Sequence, residues 1–290
     1  MESNKFELPI GVTLGGETHK VVELMKSNGV AEKIFTKKVS DKPYTWQGNI
    51  LSAAIKSIGG IEIGAEVRKK YLEDGVVTIP SIILDLTMAE VNTLIVEIHR
   101  RVWQNELPKQ EVFCKHCGRK MVVDIDLDRI DYSEESKREI ENLQMMGPSP
   151  IVVELKDGFE PTPIGKITEK PEYSWITSSV FTRFTFRYPT LRDAIENERY
   201  YSDAIDFWRR VALNCLISIE TENGDILPSE FHTFYGLKIF LEYLSVRDLK
   251  NIRNSLIEAL PTLPFAYEDT CPHCERETPF IMEASSFFSE

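Results

Sequence analysis

An α+β fold is predicted by three observations. Apolar residues recur at helical spacing through 88–104 and again through 191–260. Period-two alternation marks 121–127, and β-forming residues dominate 151–189. Two short turns, Cys114-Lys-His-Cys117 and Cys271-Pro-His-Cys274, each stand between β-like arms, with 153 residues between them. The expected organisation is an N-terminal α/β region at 1–109, a discontinuous module built from 110–130 plus 265–290, and an inserted region at 131–264, β at 151–189 and helical at 190–260.

The elements follow in order. Before residue 45 alternation is weak; Lys20–Met25 reads as a strand, and Gly15-Gly16 and Asp41-Lys-Pro43 read as turns. Ile50, Leu51, Ala54, Ile55 and Ile58 share a face of a predicted helix at 48–58, which Gly59-Gly60 ends. Val77–Leu84 is β-rich, and Pro80 makes it an edge strand or a bend. The clearest helix is 88–104. Thr87 and Glu90 form a capping-box pattern before it, and Val91, Leu94, Ile95, Ile98 and Val102 supply the buried face. A polar helix is expected at 133–146, broken by Met146-Gly-Pro-Ser-Pro150. Ser245 and Asp248 repeat the capping pattern before Leu249, Ile252, Leu256 and Leu260.

Four of the five cysteines lie in the two Cys-x-x-Cys turns. A two-residue gap lets both sulfurs of one turn reach the same metal, so two turns supply four thiolates, the tetrahedral complement of a structural zinc. Cys114, Cys117, Cys271 and Cys274 are therefore the expected ligands of one Zn2+ per chain. Such a site has no open position for substrate and argues for architecture over catalysis. Gly118 follows the first turn, where a left-handed residue relieves the knuckle, whereas Glu275 stands at that place in the second. Two other readings stay open: free thiols in loops, and a redox-active pair at Cys271-Pro-His-Cys274. The second needs a helix after its first cysteine, and Glu-Arg-Glu-Thr-Pro279 is a poor helix. His116 and His273 read as turn residues, and Cys215 as a small buried hydrophobe.

Composition narrows the function. A chain of 290 residues can bury a sizeable core. A net charge of −12 argues against nucleic acid as the main partner, because phosphate binding draws on clustered Lys and Arg. Lys115, Arg119, Lys120 and Arg276 lie near the cysteines, where they offset a zinc–thiolate cluster of formal charge −2. No apolar run is long enough to span a membrane, and the first residues lack a signal-peptide pattern, so a cytosolic protein with reduced cysteines is expected. Gly-x-Ser-x-Gly, phosphate-loop, dinucleotide-loop and His-Glu-x-x-His motifs are all missing. Asp124, Asp126 and Asp128 lack the Gly and terminal Glu of a calcium loop and read as a solvated strand face. The aromatic residues of 173–188 read as sheet core or as a protein interface.

One family shares this order of parts. Ile55-Lys-Ser-Ile-Gly-Gly60 precedes the capped helix within Leu86–Arg100, then come Phe113-Cys-Lys-His-Cys-Gly118 and Val122-Val-Asp-Ile-Asp-Leu127, and a late Cys-Pro-x-Cys with a Phe-rich tail closes the chain. Over about 50–130 and 265–290 the sequence resembles the baseplate-hub and tail-assembly proteins of contractile-tailed phages, some described as tail assembly chaperones. The resemblance implies a non-enzymatic protein of phage morphogenesis that works through contacts with tail or baseplate-hub proteins. It implies the host cytoplasm during assembly, and the virion baseplate if the protein is retained. The four paired cysteines carry over as zinc ligands. Two other classes stay in view, a zinc-ribbon nucleic-acid-binding or transcription accessory protein and a Cys-x-x-Cys thiol oxidoreductase.

Overall fold

The computed structural model describes residues 4–37, 42–103, 110–123, 132–159, 180–224, 226–228, 244–260 and 266–281. Helices combine with small antiparallel sheets, so the chain is α+β. It divides into two compact units, Met1–Gly147 with Pro261–Glu290, and Pro148–Leu260. Among the described residues no helix is long and apolar enough to cross a membrane.

In the first unit, β1 (Lys5–Leu14), β2 (Glu17–Leu24), β3 (Ile55–Ile58) and β4 (Ile61–Glu62) form an antiparallel meander in that order. Gly15-Gly16 makes the first turn, as expected. A helix that sequence periodicity did not reveal, α1 (Gly29–Thr36), starts at Asn28, whose side chain accepts from the Val30 and Ala31 amides. The next helix, α2 (Pro43–Ala54), has Pro43 in its first turn. The Trp46 indole N–H donates to the Phe35 carbonyl at 3.0 Å and ties the two helices together.

Two expectations are corrected here. The helix expected over 48–58 stops at Ala54, and Ile55–Ile58 becomes β3. The apolar spacing suits either period, but the edge of β2 offers ladder partners, and β3 pairs with it while burying Ile55, Ser57 and Ile58. Of the edge strand or bend expected at Val77–Leu84, the strand does not form and the chain turns at Pro80 into a helix. Pro80, which has no amide to donate, precedes the short helix α4 (Ser81–Leu84), which follows α3 (Gly64–Asp74), and the Pro80 carbonyl accepts from Ile83 and Leu84.

The capped helix is present as α5 (Met88–Ile98), continued by a π-turn at His99–Trp103. The Thr87–Glu90 capping box forms, and Val91, Leu94, Ile95, Ile98 and Val102 are all buried. Glu90 does more than close the box. One carboxylate oxygen accepts from the Ile10 amide at 3.2 Å and the Gly11 amide at 2.5 Å; the other accepts from the Thr87 amide and hydroxyl. Ile10 and Gly11 lie where the β1–β2 register shifts, so no ladder pairing is registered for them and a helix side chain supplies the acceptor. Burial pushes the Glu90 carboxyl up, against the pull of the Gly11, Thr87 and Ile10 donors. The polar helix expected next is α6 (Glu134–Met146), capped by Ser133, with no buried residue.

The second unit holds β7 (Ile151–Phe159), β8 (Phe181–Phe186), β9 (Leu216–Thr221) and β10 (Ile226–Pro228) in one antiparallel sheet of order β10-β9-β8-β7. Its helices are α7 (Leu191–Asn197), α8 (Ala204–Cys215) and α9 (Val246–Glu258), the last packed on β7. Helical periods therefore do not run through 191–260. After Cys215 the apolar run turns into β9, because a slot beside β8 satisfies its backbone while Leu216, Ile219 and Thr221 are buried. Ser245 caps α9 as expected. Phe181, Phe184 and Phe186 are fully buried, which makes them sheet core; Tyr173 and Trp175 lie outside the described residues, as do Asp124, Asp126 and Asp128.

An ion pair fixes the start of α7. Arg187 donates two hydrogen bonds to Asp193, at 2.7 and 2.8 Å, and a third to the Asn214 carbonyl. The Thr190 amide and hydroxyl donate to the same carboxylate. Burial alone raises the Asp193 carboxyl, but Arg187 and Thr190 outweigh it and hold it below the usual aspartate range. The Cys215 thiol lies 3.7 Å from Asp193, and burial pushes it up, so it is an inert core group. Asp193→Asn should destabilise the second unit by about 1–2 kcal/mol, because the carboxylate is buried and hydrogen-bonded while the Arg187 guanidinium stays exposed to water. Because the folded carboxyl titrates lower than the unfolded one, its contribution is full above about pH 4 and is lost as pH falls through the folded value. Urea midpoints at pH 7 and pH 3 check this: the gap between wild type and variant should shrink at pH 3.

Candidate metal centre

The two cysteine turns cap two hairpins of the first unit. The first joins β5 (Gln110–Phe113) to β6 (Lys120–Val123), with Phe113 opposite Lys120. The second joins β11 (Ala266–Thr270) to β12 (Glu277–Ile281), with Thr270 opposite Glu277. Alternation on β6 is as expected, with Met121 and Val123 buried and Lys120 and Val122 exposed.

The knuckles match bond for bond. The Gly118 amide donates to the Cys114 carbonyl at 2.8 Å, and the Glu275 amide to the Cys271 carbonyl at 2.8 Å. The Cys114 amide donates to the Arg119 carbonyl and the Cys271 amide to the Arg276 carbonyl, at 2.9 and 3.0 Å. Gly118 has φ 68° and Glu275 φ 56°, so Glu275 adopts the left-handed backbone that suits glycine. That conformation costs a non-glycine residue roughly 1–2 kcal/mol, while glycine loses about 0.5–1 kcal/mol more in freedom on folding. Glu275→Gly should therefore stabilise the hairpin by about 0.5–1 kcal/mol. The expected readout is a later urea midpoint with unchanged metal content.

All four sulfurs lie within 4.8 Å of one another. Cys114 and Cys274 sulfurs are 3.7 Å apart, and those of Cys117 and Cys271 are 3.8 Å apart. Metal–sulfur bonds of about 2.3 Å in a tetrahedron require sulfur–sulfur edges of about 3.8 Å. A disulfide needs about 2.05 Å, and all four thiols are free. These two distances match the edges of a four-thiolate cage, and the cluster can hold a metal ion.

Hydrogen bonds tune the sulfurs unequally. The Thr278 hydroxyl donates to Cys114 Sγ at 3.2 Å and the His116 amide at 3.3 Å. Led by the Thr278 bond, these donors hold the Cys114 thiol well below its usual range. Cys274 moves the other way. The Arg276 amide favours its thiolate, but burial and the three neighbouring sulfurs outweigh that donor and push the thiol up. Several thiolates this close repel one another without a cation, which favours retained protons on the cluster. Metal binding must displace the retained protons, so affinity should fall with falling pH.

Other features of the site sort the sequence-based readings. Cys114 and Cys271 are buried, Cys274 is partly exposed and Cys117 is exposed. Strand β12, not a helix, follows the second knuckle, so Cys271 lacks the helix N-terminus that activates a redox cysteine. Lys120 pairs with Glu111 across the first hairpin. His116 and His273 sit in the turns, and each bonds to a backbone carbonyl of the opposite hairpin. Sequence reading missed those bonds and the Thr278 donor. The matching histidine positions were a signal in the sequence; the register that sets Thr278 opposite Asp269, one step beyond the knuckle, belongs to the fold.

The comparisons with curated proteins and with solved structures find no match. A family model, described as T4 bacteriophage base plate protein, matches residues 50–289. That span takes in both cysteine hairpins and most of the chain, and the chain belongs to the T4 bacteriophage base plate protein family.

Proposed function

We propose that the chain is a non-enzymatic assembly protein of a contractile tail, working at the baseplate hub through contacts with other tail proteins. Membership of the base plate family over residues 50–289 carries this reading. The net charge of −12 supports protein partners over a phosphate backbone. Within this role Cys114, Cys117, Cys271 and Cys274 hold one structural zinc per chain, which ties the segment around 114–117 to the C-terminal hairpin. Module 110–130 plus 265–290 then acts as a metal-stapled clamp, with 131–264 as its insertion. Assembly takes place in the host cytoplasm.

The test is made in cells infected by a phage carrying this gene with an epitope tag. Capture should bring down hub and baseplate proteins in early assembly complexes, and a nonsense allele should give tails that fail at the baseplate and are restored by complementation. Normal tails from the nonsense allele would contradict the proposal. Probing purified virions with the same tag separates a retained subunit from an assembly chaperone that leaves.

A further inference from the structure

The exposed histidines at matching places in the two turns make reciprocal bonds. His116 Nε2 lies 3.0 Å from the Glu277 carbonyl, and His273 Nε2 lies 3.3 Å from the Lys120 carbonyl. Each acceptor is the third residue after the last cysteine of its own knuckle and the first residue of the outgoing strand. A carbonyl only accepts, so both imidazoles must donate through Nε2–H. The bonds are reciprocal: the histidine of each knuckle holds the first residue of the other hairpin's outgoing strand.

We infer that His116 and His273 form an inter-hairpin clasp that positions the four thiols and slows metal release. The inference rests on the zinc reading above. Neither imidazole belongs to the sulfur cluster, so both are positioning residues and not ligands. Four thiolates on two independent hairpins release metal when the hairpins swing apart. Every bond bridging the hairpins outside the metal raises the cost of that motion. Both clasp bonds are exposed, where a hydrogen bond contributes a modest net stabilisation. Removing one should speed release about threefold, and removing both about tenfold.

The experiment measures zinc transfer from purified full-length protein to a colorimetric chelator in excess. The variants are His116→Ala, His273→Ala, the double alanine variant, and the double variant with glutamine at both positions. A glutamine amide nitrogen falls near the place of Nε2 and can donate to the same carbonyl, so the glutamine pair should release zinc close to the wild-type rate. The alanine variants should start with one zinc per chain and lose it faster. Wild-type kinetics in the double alanine variant would overturn the clasp, and so would glutamine variants as fast as alanine. Should the double alanine variant fail to fold, the single variants and the glutamine pair decide by the same rates. Wild-type protein purified without zinc contradicts the zinc reading itself and the clasp with it, whereas zinc-bound wild type with insensitive variants contradicts the clasp alone.

Discussion

With the proposed zinc on the four cysteines, Cys274→Ser should lower zinc content and free the hairpin at 266–281. Cys274 is one corner of the four-sulfur cluster, 3.7 Å from Cys114. A serine hydroxyl does not ionise at neutral pH and is a poor zinc ligand, leaving three sulfurs and a gap. The hairpins around Cys114 and Cys271 are short two-stranded ribbons, which are marginal alone in water. Structural zinc contributes on the order of 10–16 kcal/mol of apparent binding in small peptides, against a net domain stability of about 5–15 kcal/mol. Zinc content should drop well below one per chain, and limited proteolysis should cut around 266–281 at least ten times faster than in wild type. Full zinc with unchanged protection would remove Cys274 from the ligand set.

Glu90→Ala should be the most damaging change away from the cysteine cluster. The side chain receives four donors, from Ile10, Gly11 and twice from Thr87. Alanine orphans the Ile10 and Gly11 amides at the β1 irregularity, at about 1–3 kcal/mol each, and opens the capping box, worth about 1 kcal/mol. Relief of the buried carboxyl offsets part of this, so the expected loss is about 3–5 kcal/mol. Glu90→Gln keeps one acceptor and should lose about half as much. Urea unfolding of both variants checks the order, and equal stability of Glu90→Ala and wild type would mean that water takes over the acceptor role.

Local chemistry was legible in the sequence wherever a residue type has one structural use. Thr87 with Glu90, Ser245 before α9, the paired cysteines and the Gly147 break all announced themselves because caps, knuckles and helix stops depend on neighbours within four residues. Elements decided by partners far along the chain were not legible. Ile55–Ile58 and Leu216–Thr221 carry apolar residues that suit a helix, and each became a strand because an unpaired strand edge lay beside it. The capping pattern at Glu90 was visible, but its bonds to Ile10 and Gly11 span 80 and 79 residues and left no local mark. At the candidate metal centre the two pairs of cysteines were readable from spacing alone. Their convergence to within 4.8 Å and the histidine bonds across the hairpins needed the fold.

The central claim is that the four paired cysteines hold one structural zinc, and metal content per chain tests it most directly. Elemental analysis of protein purified without added metal, with thiol titration on the same sample, should give one zinc per chain. Four thiols should be protected until a chelator is added, while buried Cys215 becomes reactive only on unfolding. Metal-free protein with a reversible disulfide between Cys271 and Cys274 would contradict the account and move thiol chemistry to the centre of this site.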